Sequence, residues 1–209
     1  MSVADVACQW TTATSKKQRK NYLKKKGCSN RTVGIIPDGI ISLQSIAAEE
    51  PVRASETFSL IKEYASLIID TEFYRDICRQ IQGEQFESFV ILGIGGFHNK
   101  TAQLQAALAV CLRRDYISSL GTAEIFDPIF KAEEINLCRL LGFDPIEMNT
   151  KGKITCNNRT LFLMPHCPYR LYCNVLWSNW GAALAHCCII GNRYESKCFI
   201  RMIFFLNGV

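Results

Sequence analysis

The chain has 209 residues, of which 48% are hydrophobic, and a net charge of +5. A chain of this length and composition can bury one hydrophobic core, so we expect a single globular domain with short additions. The apolar segment CFIRMIFFLNGV is interrupted by Arg201 and is shorter than the roughly 20 residues of a spanning helix. We therefore expect no association with a membrane.

The 11 cysteines are scattered and include no C-x-x-C pair. The N-terminal residues also lack the apolar segment of a secretory signal. We therefore expect free thiols in a reducing compartment and no structural metal site.

The basic residues are concentrated before residue 32, where eight Lys and Arg stand against one acid, Asp5. Residues 1–32 are predicted to be a disordered, solvated tail, and the alternative is a nuclear-import or nucleic-acid-contacting segment. We expect a cytoplasmic protein, with the nucleus as the alternative location. Direct nucleic-acid binding beyond this tail is not expected.

Residues 33–84 are predicted to be a helical lead-in to the main domain. It opens with the turn residues Pro37 and Gly39, and two amphipathic helices follow, the second ending at Gly83. Apolar residues at three- and four-residue spacing define the two helices: Phe58, Ile61, Tyr64, Ala65 and Ile68, then Phe73, Ile77 and Ile81.

Residues 85–209 are predicted to form an α/β domain, because short apolar runs alternate with helical stretches. The predicted strands are SFVILGIG, AEIFDP, DPIEM, TLFLMPHC and AHCCIIGN, and the helices between them include NKTAQLQAALAVCLRRD, KAEEINLCRLLGF and YRLYCNVLWSNWGAAL. Strands that are apolar throughout indicate a mainly parallel sheet covered on both faces. The expected fold is Rossmann-like and doubly wound.

Ligands of such a sheet bind beyond the carboxyl ends of its strands, so polar and glycine residues there are the candidate site. Asn174 and Asn179 are added as polar residues of the following helix that could turn toward this cleft. The candidate cofactor-binding residues are Gly93, Gly95, Gly96, Asp127, His166, Cys167, Asn174 and Asn192.

The glycine turn GIGGFH has two readings. It matches only the first two glycines of G-x-G-x-x-G, because His98 stands at the third, and Asp127 comes 34 residues after Gly93 instead of about 20. The turn either binds a nucleotide-like ligand or needs glycine for its backbone alone, as we expect of Gly95. Its helix N-terminus is suited to an anion in either case.

His166 and Cys167 also have two readings. They are either an acid/base or ligand pair in the cleft, or a hydrogen-bonded histidine beside a small packed thiol. Cys167-Pro168 is in addition the dipeptide of heme-regulatory motifs, so both a nucleotide-like ligand and heme remain open as cofactors.

The segments GIGGF, FDPIF, LGF, MPHCPYRLYCNVLWSNW and IIGN, in this order, resemble the SRR-like family, named for the plant trait "sensitivity to red light reduced". The resemblance covers about residues 58 to 195, and the Pro-His-Cys to Asn-Trp block is its specific part. It implies a regulatory protein in heme biosynthesis and in circadian rhythm or clock-gene expression, acting with protein partners that it does not identify.

The resemblance implies no catalytic residues, so a regulator is favoured over an enzyme. The alternative is a small-molecule enzyme that uses a nucleotide or S-adenosylmethionine, with Asp127 on a ribose and His166 as acid or base. The sequence departs from the family after IIGN, where Arg193 replaces a serine and RYESKCFIRMIFFLNGV follows. The C-terminal part of the domain is therefore expected to be incomplete.

Overall fold

The computed structural model describes residues 54–191 and the backbone of residues 203–205. The predicted basic tail, the rest of the chain before residue 54, and Asn192 lie outside these residues. The predictions made for the tail and for an incomplete C-terminal part therefore stay predictions. Among the described helices, none has both the length and the apolar character needed to cross a membrane.

Two helices lead into the sheet. Helix α1 (Ala54–Ile68) buries one apolar face, as its three- and four-residue spacing predicts. Helix α2 (Glu72–Gln80) has Thr71 as its N-cap. The Thr71 hydroxyl accepts a hydrogen bond from the Tyr74 amide and so satisfies one of the free N–H groups of the first turn.

Strands and helices then alternate along the chain. They are β1 (Phe86–Leu92), α3 (Lys100–Tyr116), β2 (Ile117–Phe126), α4 (Ala132–Leu140), β3 (Asp144–Pro145), β4 (Thr160–Met164), α5 (Tyr169–Ser178), a 3-10 helix (Ala182–His186), β5 (Cys187–Gly191) and β6 (Ile203–Phe205).

The strands form one sheet in the order β3-β2-β1-β4-β5-β6. The first five strands of this order are parallel, and β6 pairs antiparallel with β5. This confirms the predicted Rossmann-like, mainly parallel fold. The strand order reverses between β1 and β4, which is where a doubly wound sheet leaves a crevice at its carboxyl edge.

Both faces of the sheet are buried, but they are covered differently. Alternate residues of β1 point to opposite faces: Phe89 and Ile91 join the core beneath α1 to α4, whereas Val90 and Leu92 join a smaller core beneath α5. The connection between β3 and β4, residues 146–159, contains no helix. An irregular segment therefore covers part of the second face and comes close to the carboxyl edge.

Several boundaries differ from the sequence prediction by a few residues, and two differ most. Strand β2 starts at Ile117 instead of Ala123, because its first residues, ISSLGT, are not buried and lack a continuous apolar run. The helix predicted to reach Leu184 ends at Ser178, because Gly181 has φ of 98°, which breaks the helix before the 3-10 turn.

Candidate functional site

A cavity of about 310 Å³ opens at the carboxyl ends of β1, β2 and β4. This is the reversal point of the strand order, where the fold predicts a ligand crevice. The lining residues are Leu92, Gly93, Phe126, Asp127, Pro128, Asn149, Lys151, Gly152, His166, Cys167, Pro168 and Leu171.

Four of the residues predicted from the sequence meet at this cavity, namely Gly93, Asp127, His166 and Cys167. Gly95 and Gly96 lie in the adjoining turn rather than in the lining. That these residues bind a ligand stays a prediction.

Asn174 and Asn179 do not reach the cavity. The Asn174 amide donates to the Lys151 carbonyl at 2.7 Å, so it holds the backbone of a lining residue. Asn179 is buried, accepts the Cys156 amide at 2.6 Å and donates to the Ile154 carbonyl at 2.8 Å. The interpretation of Asn179 as a cleft residue is therefore wrong, because its polar atoms satisfy the backbone of the 146–159 connection.

The glycine turn is tied to Asp127. Gly95 has φ of 85°, as its predicted backbone role requires, and its amide donates to Asp127 Oδ2 at 2.8 Å. The second carboxylate oxygen, Oδ1, accepts the Ile129 amide at 3.1 Å. One carboxylate thus joins the loop after β1 to the loop after β2.

A second carboxylate, which the sequence analysis missed, binds the next part of the turn. Glu134 is only 3% exposed, and its Oε1 accepts the Phe97 amide at 2.9 Å while Oε2 accepts the Lys131 amide at 2.9 Å. Lys131 is the N-cap of α4 and Glu134 its third helical residue, so the bond to the Lys131 amide is the Glu half of a capping box, without the Ser or Thr half. That spacing was the available signal, but it does not reveal the contact with Phe97.

These contacts change the expected chemistry of the turn. A Rossmann turn binds a pyrophosphate with backbone amides near the start of the following helix. Here the amides of Gly95 and Phe97 already donate to carboxylates of this chain. A phosphate at this place would have to displace one carboxylate and approach the negative charge of both.

Cys167 faces the cavity as a thiol. Desolvation by burial, with the nearby Asp127 charge as the smaller cause, raises the pKa of Cys167 to about 12. Its Sγ donates to the Leu92 carbonyl at 3.1 Å. The thiolate is the nucleophile and the metal-binding form, so this environment favours the interpretation of Cys167 as a packed, hydrogen-bonded thiol.

His166 lies at the cavity mouth, and desolvation by the surrounding residues lowers the pKa of its imidazole below the ordinary value. Its backbone has φ of 56°, a left-handed conformation that is costly for residues other than glycine. Among the described residues, one other non-glycine shares this conformation: Lys151, with φ of 56°. Both of these strained residues line the same cavity.

Lys151 and Asn149 were not singled out from the sequence. They belong to the turn NTKG, in which Asn149 Oδ1 accepts the Lys151 amide at 2.9 Å and Gly152 has φ of 76°. The Asn and Gly of this segment predict a turn. The sequence could not place this turn at the cavity, because the 146–159 connection has no periodic pattern that would predict its path.

No metal centre is visible in this part of the chain: within residues 54–191, no three His, Cys, Asp or Glu side chains are grouped to hold an ion.

This chain is similar in sequence to proteins of a known family. Residues 61–197 match the SRR1 domain. An SRR1-like protein of Drosophila melanogaster is 36% identical over 121 residues, which are 56% of this chain and 43% of that protein. An SRR1-like protein of Mus musculus is 35% identical over 109 residues, covering 51% of this chain and 44% of the relative.

A plant relative matches over a longer stretch. Protein SENSITIVITY TO RED LIGHT REDUCED 1 of Arabidopsis thaliana is 26% identical over 149 residues, or 70% of this chain and 54% of that protein. The chain thus spans about half the length of the curated relatives it matches. No solved structure gives a significant match.

Proposed function

Because the chain belongs to the SRR1 domain family, we propose that it is a regulatory protein whose cleft at the carboxyl edge of the sheet binds a small-molecule ligand. We further propose that it acts in the regulation of heme biosynthesis and circadian rhythm. The Arabidopsis relative, named for reduced sensitivity to red light, supports a connection with light-dependent regulation.

The observation that carries the ligand-binding proposal is the strain around the cavity. Lys151 and His166 both hold left-handed backbones there, and a strained non-glycine residue persists only where the surrounding structure holds it in place. Such residues cluster at binding and catalytic sites. A cavity of about 310 Å³ is also within the range of small-molecule sites, near its lower end.

The cavity is mostly apolar with a few polar groups that converge on it. Leu92, Phe126 and Leu171 contribute apolar surface, while Lys151 and His166 supply a cation and an imidazole. This combination suits an organic molecule with an apolar body and a polar or anionic group.

Enzymatic use of a dinucleotide has less support. The turn amides that would bind a pyrophosphate are taken by Asp127 and Glu134. Direct ligation of heme by Cys167 also has less support, because its sulfur donates to the Leu92 carbonyl at 3.1 Å and would have to give up this bond to bind iron. These contacts therefore count against a dinucleotide in the glycine turn and against heme on Cys167.

The first experiment is a mass-spectrometric inventory of small molecules that co-purify with the full chain. Lys151→Gly and His166→Gly remove the two polar side chains while glycine accepts the left-handed backbone. We expect a bound molecule in the wild type that is lost in both variants and retained in the controls Lys153→Gly and His186→Ala. A bound molecule retained equally in all five proteins would overturn the assignment of the cleft.

The second experiment tests the regulatory role in cells in which the gene is disrupted. We expect disruption to change heme content or the period of a clock-gene reporter, wild-type protein to restore it, and folded His166→Gly not to restore it. No change on disruption would contradict the pathway, and full rescue by His166→Gly would contradict the role of the cleft.

A further inference from the structure

A second cavity, of about 380 Å³, lies beside the first at the ends of β2 and β3. The two cavities share four lining residues, namely Phe126, Asp127, Pro128 and Asn149. They are therefore two compartments of one cleft, which we call the β4 compartment and the β3 compartment. The cleft follows the carboxyl edge of the sheet from β4 across to β3.

The β3 compartment has an apolar lining and a polar rim. Phe130, Ile135 and Ile146 are each only partly buried, so they leave apolar surface facing the cavity. Arg139 and Glu147 are exposed and supply donors and an acceptor at its edge. Apolar faces with hydrogen-bonding groups at the rim suit a flat heterocycle, whose faces are apolar and whose edge is polar.

The junction of the compartments is formed by Asp127 and Asn149. Each carboxylate oxygen of Asp127 accepts one backbone amide, and a carboxylate has about four acceptor positions, so two remain for a ligand. An acid at the end of the second strand is the group that binds ribose hydroxyls in this fold class. The β4 compartment beyond the junction offers Lys151 and His166.

The contacts of the glycine turn distinguish this cleft from the sites that bind dinucleotides. The Gly95 and Phe97 amides donate to Asp127 and Glu134 at 2.8 and 2.9 Å. Two carboxylates therefore stand where a pyrophosphate would need N–H donors. A molecule that crosses the junction without a diphosphate avoids this repulsion.

From these contacts we propose that the cleft binds a nucleoside carrying a short charged side arm and no pyrophosphate. The heterocycle occupies the β3 compartment, the ribose lies at Asp127, and the arm extends toward Lys151. This inference rests on the proposed ligand-binding function and specifies the ligand class.

The test is calorimetric titration of the full chain with four probes: S-adenosylhomocysteine, adenosine, ADP and NAD. We expect saturable binding of both nucleosides, with S-adenosylhomocysteine about tenfold tighter through its carboxylate, a difference of about 1.4 kcal/mol. ADP and NAD are expected to bind at least about tenfold more weakly than S-adenosylhomocysteine. The inference would be overturned if neither nucleoside bound saturably, or if NAD bound as tightly as S-adenosylhomocysteine.

Two variants locate the binding. Lys151→Gly should abolish the preference for S-adenosylhomocysteine over adenosine, whereas Ile135→Gln should weaken both nucleosides. Ile129→Gln is the matched control, because Ile129 is 53% exposed and lines neither compartment. Equal effects of Ile135→Gln and Ile129→Gln would contradict the placement of the heterocycle.

The experiments distinguish failure of the nucleoside assignment from failure of the proposed ligand-binding function. A co-purifying ligand that is lost in His166→Gly but is not a nucleoside leaves the regulatory cleft standing and overturns only the ligand class. Absence of any ligand dependent on His166 overturns both.

Discussion

Substitution of Gly93 by alanine tests how closely the glycine turn is fitted to the cleft. Gly93 has φ of 69°, and a Cβ added to it would lie 2.6 Å from Cys167 Sγ. The sulfur has little freedom to withdraw, because it donates to the Leu92 carbonyl at 3.1 Å. The substitution therefore introduces backbone strain and a steric clash together.

The two costs can be separated with Gly95→Ala. Gly95 has φ of 85°, but its added Cβ would meet Ala102 at an ordinary contact distance of 3.7 Å. Gly95→Ala should thus destabilise through the left-handed backbone alone, by about 1–2 kcal/mol. Gly93→Ala adds an overpacking cost of about 1–3 kcal/mol, so its total is about 2–5 kcal/mol.

The assay is urea unfolding of the full chain followed by circular dichroism, on Gly95→Ala, Gly93→Ala, Cys167→Ala and the Gly93→Ala/Cys167→Ala double variant. Removing the sulfur removes the clash, so Gly93→Ala should cost about 1–3 kcal/mol less in the Cys167→Ala background. Equal free energies of unfolding for Gly93→Ala and Gly95→Ala, or strict additivity in the cycle, would refute this account.

Three further predictions follow from other contacts. Glu134→Gln leaves one oxygen acceptor for the Phe97 and Lys131 amides, so the free energy of unfolding in urea should fall by about 1–3 kcal/mol, and an unchanged value would contradict the bridging role. Desolvation raises the pKa values of four thiols, three buried and one partly buried, from near 9 to about 11–12: Cys111, Cys138, Cys188 and Cys167. The unfolded chain releases these protons at lower pH than the folded chain, so the free energy of unfolding is unaffected below about pH 9. It should fall between pH 9 and 12, by up to about 1.4 kcal/mol per thiol per pH unit. A urea midpoint that does not change over this pH range would contradict the prediction. Deleting residues 1–31 should leave the melting temperature unchanged, since these residues show no apolar periodicity, and a large decrease would show that they join the core.

The sequence determined the architecture because its signals are local. Apolar runs such as FVIL and TLFLM, separated by helical spacing, are enough to predict a parallel sheet with covered faces. A parallel sheet then fixes which residues follow the carboxyl ends of its strands. Gly93, Asp127 and His166 could be placed at one edge for this reason, before any contact was known.

The contacts that give this edge its chemistry were decided by the tertiary structure. Asp127 binds the amide of a residue 32 positions earlier, and Glu134 binds one 37 positions earlier. The sequence pattern of a capping box explains only the bond of Glu134 to its own helix. The bond to Phe97 exists because α4 packs beside the glycine turn, and nothing in the local sequence encodes that proximity.

The position of Lys151 was likewise not predictable from the local sequence. Its turn was recognisable from Asn149 and Gly152, but the connection between β3 and β4 has no helix or strand to give it direction. Asn174, on α5, fixes the turn by binding the Lys151 carbonyl. A periodic sequence pattern reports which face of an element is buried, whereas the position of an irregular segment depends on such single long-range bonds, which only the folded chain contains.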